Sequence, residues 1–306
     1  MKVLVTGGAG FIASHVVDAY VERGHAVTIV DDLSSGRVEN VHPKAELIVA
    51  DLRDPATADK LRGRGFDLVN HHAAQIDVRV SVADPAADAE LNIVAALRLF
   101  QTVIDDGVKK IIFASSGGAA YGEPQYVPQD EQHPVAPLSP YGCAKLAIDQ
   151  YLYFFRQIHG IHAISLRYAN VYGPRQRKDG EAGVVAIFAG ALLEGQQVRI
   201  NGNGEQTRDY VFVEDVVRAN MAASELDLDG VFNVGTGVET SVNDLYAALS
   251  NVLGTNASPQ HGPAKAGEQI RSVLDGSKLR AIANLPAPLR LEEGLRRTVE
   301  WLRSAS

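Results

Sequence analysis

The sequence predicts an α/β fold: a doubly wound parallel sheet followed by a smaller C-terminal α/β lobe. Short apolar runs alternate with helical patterns through the first half of its 306 residues. A glycine-rich turn joins the first run to the first helix, and after residue 167 the alternation gives way to an irregular stretch rich in Gly, Asn and charge. Short apolar strands separated by helices belong to a parallel sheet covered on both faces.

The elements follow in order. Residues 3–6 form the first strand, and after the glycine turn a helix runs to about residue 23. Residues 26–30, ending in Asp31-Asp32, and 47–50, ending in Asp51, are the second and third strands. Residues 68–71, 110–115 and 163–167 are the fourth, fifth and sixth. Long helices are predicted over 84–105 and 141–159, and shorter ones over 215–224, 242–253 and 292–303. Residues 1–172 read as one domain and 173–306 as a second lobe, with 210–237 placed to pack back on the first.

Composition narrows the class. Hydrophobic residues are 46% and charged residues 22%, ordinary for a globular protein and unlike a disordered or collagen-like chain. No apolar run approaches the ~18 residues of a membrane span, and the N-terminal run is too short for a signal peptide; a cytoplasmic protein is expected. Lys+Arg 29 against Asp+Glu 37 gives a net charge of -8, a poor match to nucleic acid. A lone Cys143 excludes an internal disulfide and a cysteine-rich zinc site, and is read as a packing residue. Adjacent His71 and His72 point to opposite faces of a strand, which argues against a metal pair.

Gly7-Gly8-Ala9-Gly10-Phe11-Ile12-Ala13 lies between the first strand and its helix. Gly7 and Gly10 let the backbone turn tightly and approach a pyrophosphate, which the helix N-terminus attracts. Ala13 is small enough for close helix–strand packing. Asp31 ends the second strand about 20 residues beyond Gly10, where a carboxylate accepts bonds from ribose hydroxyls and repels a 2′-phosphate. Strand, glycine turn, helix and acid together predict a Rossmann-type site for NAD rather than NADP.

Tyr141 and Lys145 share a helix face at spacing i,i+4. A free tyrosine, with a pKa near ~10, is a poor base at neutral pH. A nearby ammonium and an oxidised nicotinamide both favour the phenolate. Such a pair is common by chance; its place after the fifth strand points to catalysis. Ser115 and Ser116 end that strand, at the carboxyl edge where ligands bind, and Ser116 can share a substrate oxygen with Tyr141.

With these motifs in place, the chain resembles the extended short-chain dehydrogenase/reductase superfamily. Thr6–His15, Asp31-Asp32-Leu33, His72-Ala73-Ala74-Gln75, Tyr141-x-x-x-Lys145 and Leu166–Arg175 carry the likeness over nearly the whole chain. Within that superfamily it is most similar to bacterial UDP-glucose 4-epimerases of the Ser-Ser-Gly-Gly-Ala-x-Tyr-Gly type. The segment 180–188 and Arg208-Asp209-Tyr210-Val211 extend the match.

The resemblance implies roles. Phe11, Ile12, the turn Asp31, Asp32, Ser34, Ser35 and Gly36, Asp51, Leu52, His72, Ala73, Ala74, Gln75, Asn92, Ser115, Tyr141, Lys145 and Tyr168 would line the NAD site. Asp51 would hold the adenine amino group. Asn170 would bind the nucleotide-sugar diphosphate together with Ser116 at the sugar. Val184, Arg199, Asn201 and Arg208 would bind uridine and phosphate. Lys265 and Glu268 stand where the family has Arg and Asp, so a bidentate phosphate contact would be lost. Ser272 occupies the position that limits the sugar 2-substituent, and its small size suits an N-acetyl group. Arg175, Arg177 and Lys178 could meet a uronic carboxylate or be solvated, and the solvated reading is preferred.

The implied activity is 4-epimerisation of a UDP-sugar, UDP-glucose and UDP-galactose first, by transient oxidation at C4, rotation of the 4-keto sugar and re-reduction. A homodimer built on the helices 84–105 and 141–159 is expected by the same likeness. A 4,6-dehydratase or decarboxylase needs a further acid/base, which dehydratases place directly after the strand-end hydroxyl; Gly117-Gly118 stand there. A non-catalytic NAD sensor would lack the Tyr/Lys pair.

Overall fold

The computed structural model describes residues 1–178, 183–264 and 269–304. Its centre is a seven-stranded sheet. The strands are β1 (Lys2–Thr6), β2 (Ala26–Asp31), β3 (Glu46–Val49), β4 (Leu68–His71), β5 (Lys110–Ser116), β6 (His162–Tyr168) and β7 (Gly230–Val234). They lie in the order β7-β6-β5-β4-β1-β2-β3, and every pairing is parallel. The chain runs outward from β1 through β2 and β3, then returns to build β4 to β7 on its other side. That reversal opens a crevice above the carboxyl ends of β1 and β4.

Alternation along the strands feeds two cores. Val3, Val5, Ile112 and Ile164 face the helices Phe11–Glu22 and Val213–Glu225, where Val16, Val17, Tyr20 and Val216 are buried. Leu4, Val69, Ile111 and Ala163 face the opposite layer, which supplies Leu99, Phe100, Ile148, Leu152 and Phe155. Each such side chain contributes roughly 1.5–3 kcal/mol by leaving water. A third cluster, with Val185, Phe188, Leu245, Leu249 and Leu295, gathers buried residues from Tyr172 onward.

Helix Pro140–His159 starts where Ser139 Oγ accepts from Gly142 N (3.1 Å), with Pro140 in the first turn, and stops at left-handed Gly160 (φ 64). The predicted helix 84–105 is instead three pieces. Pro85–Ala89 and Ala96–Asp105 are α-helical, and Glu90–Ala95 between them is a π-turn. One inserted residue rotates the apolar face by roughly 100°, a single shift that pieces this short do not resolve. The seventh strand and its helix Val213–Glu225 come from sequence beyond the irregular stretch.

Candidate active site

The glycine turn is shaped by contacts from β2 and β4. Gly7 N donates to Val30 O (2.8 Å) and Gly10 N to Gly7 O (2.9 Å). Gly7 has φ 69, and a Cβ there would stand 2.8 Å from Ala73 N, so only glycine fits where the two loops meet. Asp31 is buried; Oδ2 accepts from Ala9 N (2.9 Å) and Oδ1 from Leu33 N (2.9 Å). Burial pushes its carboxyl up and these bonds oppose that. A Cβ on Gly36 would press on the Asp31 carboxylate at 2.8 Å, which explains a glycine in that turn.

A cavity of ≈ 240 Å³ opens above this turn. Gly7, Gly10, Phe11, Ile12, Asp31, Asp32, Ser34, Ser35, Asp51, Leu52, His72, Ala73, Ala74, Ser115, Tyr141, Lys145 and Tyr168 all line it. Asp51 does so with its carboxylate engaged by Arg53 Nη2 (2.7 Å), which also holds its pKa low. Ser115 Oγ and His72 Nε2 are buried there without a protein partner. A long groove with a glycine floor, an acid at one end and spare polar atoms at the other fits a dinucleotide.

Gly36, Gln75 and Asn92 are set back from the cavity wall. Asn92 Oδ1 accepts from Gln75 N (3.0 Å) and its Nδ2 donates to Gln75 O (3.0 Å). Both side chains also donate to Asp88 Oδ1, at 3.0 Å from Gln75 and 2.9 Å from Asn92. The π-turn brings Asn92 to this clamp. In this geometry Gln75 and Asn92 shape the wall-forming loop 72–77.

Tyr141 and Lys145 are brought against the end of β5. Lys145 Nζ donates to Ala114 O (2.9 Å) and lies 4.6 Å from the Phe113 ring centroid and 5.6 Å from that of Tyr141. Burial lowers its pKa to about 8, with Asp149 and Asp88 holding it up. Burial also drives the Tyr141 phenol upward, against a hydrogen bond with Ser116. In the protein alone, desolvation therefore outweighs the ammonium that the sequence reading credited with lowering it. Cys143 is exposed, on the far side of the helix, and does not pack.

A second cavity, of ≈ 340 Å³, adjoins the first. Tyr141 and Tyr168 border both, Ser115 lines only the first and Ser116 only the second. Asn170 and Arg208 line the second, with Gly118, Ser139, Gln269 and Ser272. Val184, Arg199 and Asn201 are not among its walls. Val184 begins the helix Val184–Leu193, and Arg199 and Asn201 bound a short strand whose Arg199 is exposed. Lys265 and Glu268, and part of the segment 180–188, lie outside the described residues.

Sequence reasoning missed three supports, Asp88, Asp149 and Asn220. Asp88 closes the Gln75–Asn92 clamp. Asp149 binds Arg167 behind Lys145; its spacing of four from Lys145 was a readable signal. Asn220 Nδ2 donates to Tyr168 OH (2.8 Å) and Asn220 Oδ1 accepts from Asn70 (3.0 Å), forming a buried polar floor. His71 is buried between Phe100 and Phe113 with Thr6 Oγ1 at 2.8 Å. Among the described residues, no group of three His, Cys, Asp or Glu could hold a metal.

Comparison with known proteins agrees with this geometry. Residues 3–235 match the model of the NAD dependent epimerase/dehydratase family. A UDP-glucose 4-epimerase of Mycolicibacterium smegmatis is 44% identical, with 100% of each chain covered. The structure of a UDP-glucose 4-epimerase from Thermotoga maritima with UDP-glucose superposes at a TM-score of 0.97 and 46% identity, covering 100% of this chain and 99% of that one. A UDP-N-acetylglucosamine 4-epimerase from Methanobrevibacter ruminantium, in complex with UDP-N-acetylmuramic acid, follows at 0.94 and 38%, with coverage of 100% and 99%. The chain belongs to the NAD-dependent epimerase/dehydratase family: it is an enzyme, its central sheet is a Rossmann fold, and its cofactor is NAD.

Proposed function

We propose that this enzyme is a UDP-sugar 4-epimerase acting on UDP-glucose and UDP-galactose. The observation that carries the reading is Tyr141 in the wall between two cavities, with Lys145 on the dinucleotide side and Ser116 on the other. When bound, NAD supplies a reversible acceptor for the hydrogen at sugar C4. Tyr141 takes the 4-hydroxyl proton and later returns it. Ser116 hydrogen-bonds the same oxygen and fixes its distance to the phenol. Lys145 keeps a positive charge beside Tyr141, and the charge of the oxidised nicotinamide adds to it, offsetting the burial that disfavours phenolate. Asn170 and Arg208 hold the diphosphate; Arg208 supplies a fork suited to phosphate oxygens. Val184, Arg199 and Asn201, with Lys265 and Glu268, receive the uridine end in this reading.

Sterics argue against the dehydratase alternative. A Cβ on Gly117 would run into Leu274, 2.7 Å from Cδ2, and one on Gly118 would stand 2.9 Å from Ser272 Oγ. An acid pair at 117 and 118 would have to displace these side chains, and no described residue lining the second cavity is Asp or Glu. A second reading, a 2-acetamido sugar, is favoured by the small Ser272 in that wall. A homodimer is supported by Tyr151, Tyr153, Phe154 and Ile158, all exposed on helix Pro140–His159, and by exposed Val94. Among the described residues no helix is long and apolar enough to cross a membrane.

The test is NMR of the purified protein with UDP-galactose, then UDP-N-acetylglucosamine and UDP-glucuronate, without added NAD. The C4 epimer with C6 intact is expected. A 4-keto-6-deoxy product or released carbon dioxide overturns the reading. Tyr141→Phe should lower turnover by about 10²–10⁴ while NAD stays bound; undiminished turnover would remove Tyr141 from the chemistry.

A further inference from the structure

The clamp behind the cofactor wall contains a buried acid that the proposed chemistry does not use. Asp88 is 2% exposed. Its Oδ1 accepts from Gln75 Nε2 (3.0 Å) and Asn92 Nδ2 (2.9 Å), and its Oδ2 has no protein partner. A half-satisfied buried carboxylate is costly unless a positive charge lies near. Its helix, Pro85–Ala89, packs on helix Pro140–His159, which carries Tyr141 and Lys145.

Other charges around it are turned elsewhere. Arg79, on the adjoining helix Val78–Ala83, is exposed and pairs with Asp77. Glu90 faces Arg98 at the surface (3.9 Å). Asp149 faces Arg167 (2.8 Å). The charge that bears on Asp88 is that of buried Lys145; Asp88 in turn bears on Tyr141 and, with Asp149, on Lys145.

We propose that Asp88 is a positioning residue of this site: through Gln75 and Asn92 its carboxylate fixes the loop 72–77, and its charge sets the pH range in which Tyr141 and Lys145 work. It touches neither substrate nor cofactor in this role. The sign is fixed by Coulomb's law. A negative Asp88 opposes phenolate at Tyr141 and favours ammonium at Lys145, so it moves both ionisations to higher pH. The inference uses the epimerase reading for one of its two assays.

Asp88→Asn separates shape from charge, because the amide oxygen still accepts from Gln75 and Asn92. Both limbs of the kcat/KM profile should move to lower pH by about 1 unit, with NAD retained through gel filtration. Gln75→Met keeps the charge and loosens the clamp. It should release NAD at least about tenfold more readily and leave the limbs in place. Asn-variant limbs that superimpose on the parent's, or a Gln75→Met variant that shifts them equally, overturn the proposal. Should Asp88→Asn fail to fold, Gln75→Met still decides: NAD retention equal to the parent's refutes the clamp. A parent protein that binds NAD but epimerises no sugar defeats the functional reading instead, and the NAD assay stands apart from it.

Discussion

Replacing Asp149 by Asn measures how far the helix of the reactive pair depends on one buried charge. Asp149 follows Lys145 by one turn on the same face. Its side chain is 1% exposed and that of Arg167 is 5%. Oδ2 accepts from Arg167 Nε (3.0 Å) and Nη2 (2.8 Å), and Oδ1 accepts from Ser165 Oγ (2.5 Å). The guanidinium also lies 4.7 Å over the Tyr121 ring. Asn keeps the shape and one acceptor but strands the buried guanidinium. Breaking such a pair costs about 3–5 kcal/mol, against about 0–1 for a surface pair. The retained acceptor and the Tyr121 face place Asp149→Asn near the lower end, at about 3 kcal/mol. Urea unfolding of the NAD-loaded protein, followed by far-ultraviolet circular dichroism, reads this directly. The double variant Asp149→Leu, Arg167→Met removes both charges and should regain at least half of the loss. A loss under about 1 kcal/mol for Asp149→Asn, or a double variant no more stable than Asp149→Asn, refutes the reasoning. Asp149 is also the stronger of the two acids that hold Lys145 up at about 8, so its loss should lower the alkaline limb of activity.

Acid should destabilise the fold through His71 and His72, both held by burial at about 3. Their unfolded pKa is near ~6.5, so their contribution is complete above that pH and is lost as pH falls toward 3; each costs up to about 2 kcal/mol by pH 5. A urea midpoint unchanged between pH 7 and pH 5 contradicts this. Gly7→Ala should cost about 1–2 kcal/mol in backbone strain and strip the purified protein of NAD, because Ala73 N cannot yield; the 260 to 280 nm absorbance ratio reports it. Gly117→Asp should cost about 1–3 kcal/mol by overpacking against buried Leu274 and yield no dehydratase product. A melting curve matching the parent's would show that Leu274 has room to move.

Much of the site was legible because its chemistry is local. The glycine turn, Asp31 and the Tyr141–Lys145 spacing each work within one loop or one helix turn, so residue order alone carries them. The six early strands were readable for a related reason: each is a short apolar run between breakers. The π-turn at Glu90–Ala95 was not, since one extra residue shifts the apolar phase only once, and the pieces Pro85–Ala89 and Ala96–Asp105 are too short for the spacing to show it. Asn92 was placed at the cofactor site by likeness, and the hydrogen bonds that tie it to Gln75 and Asp88 appear only in the folded chain.

By itself, then, the sequence determined the fold class and the NAD cofactor and singled out Tyr141 and Lys145 as a candidate pair, because periodicity and loop chemistry are properties of neighbours along the chain. Tertiary structure alone decided that Tyr141 stands between two cavities, that a side chain at Gly117 would press on Leu274, and that Asp88 and Asp149 are buried. These are consequences of desolvation and of contact between residues far apart in sequence, and both exist only once the sheet has closed around them.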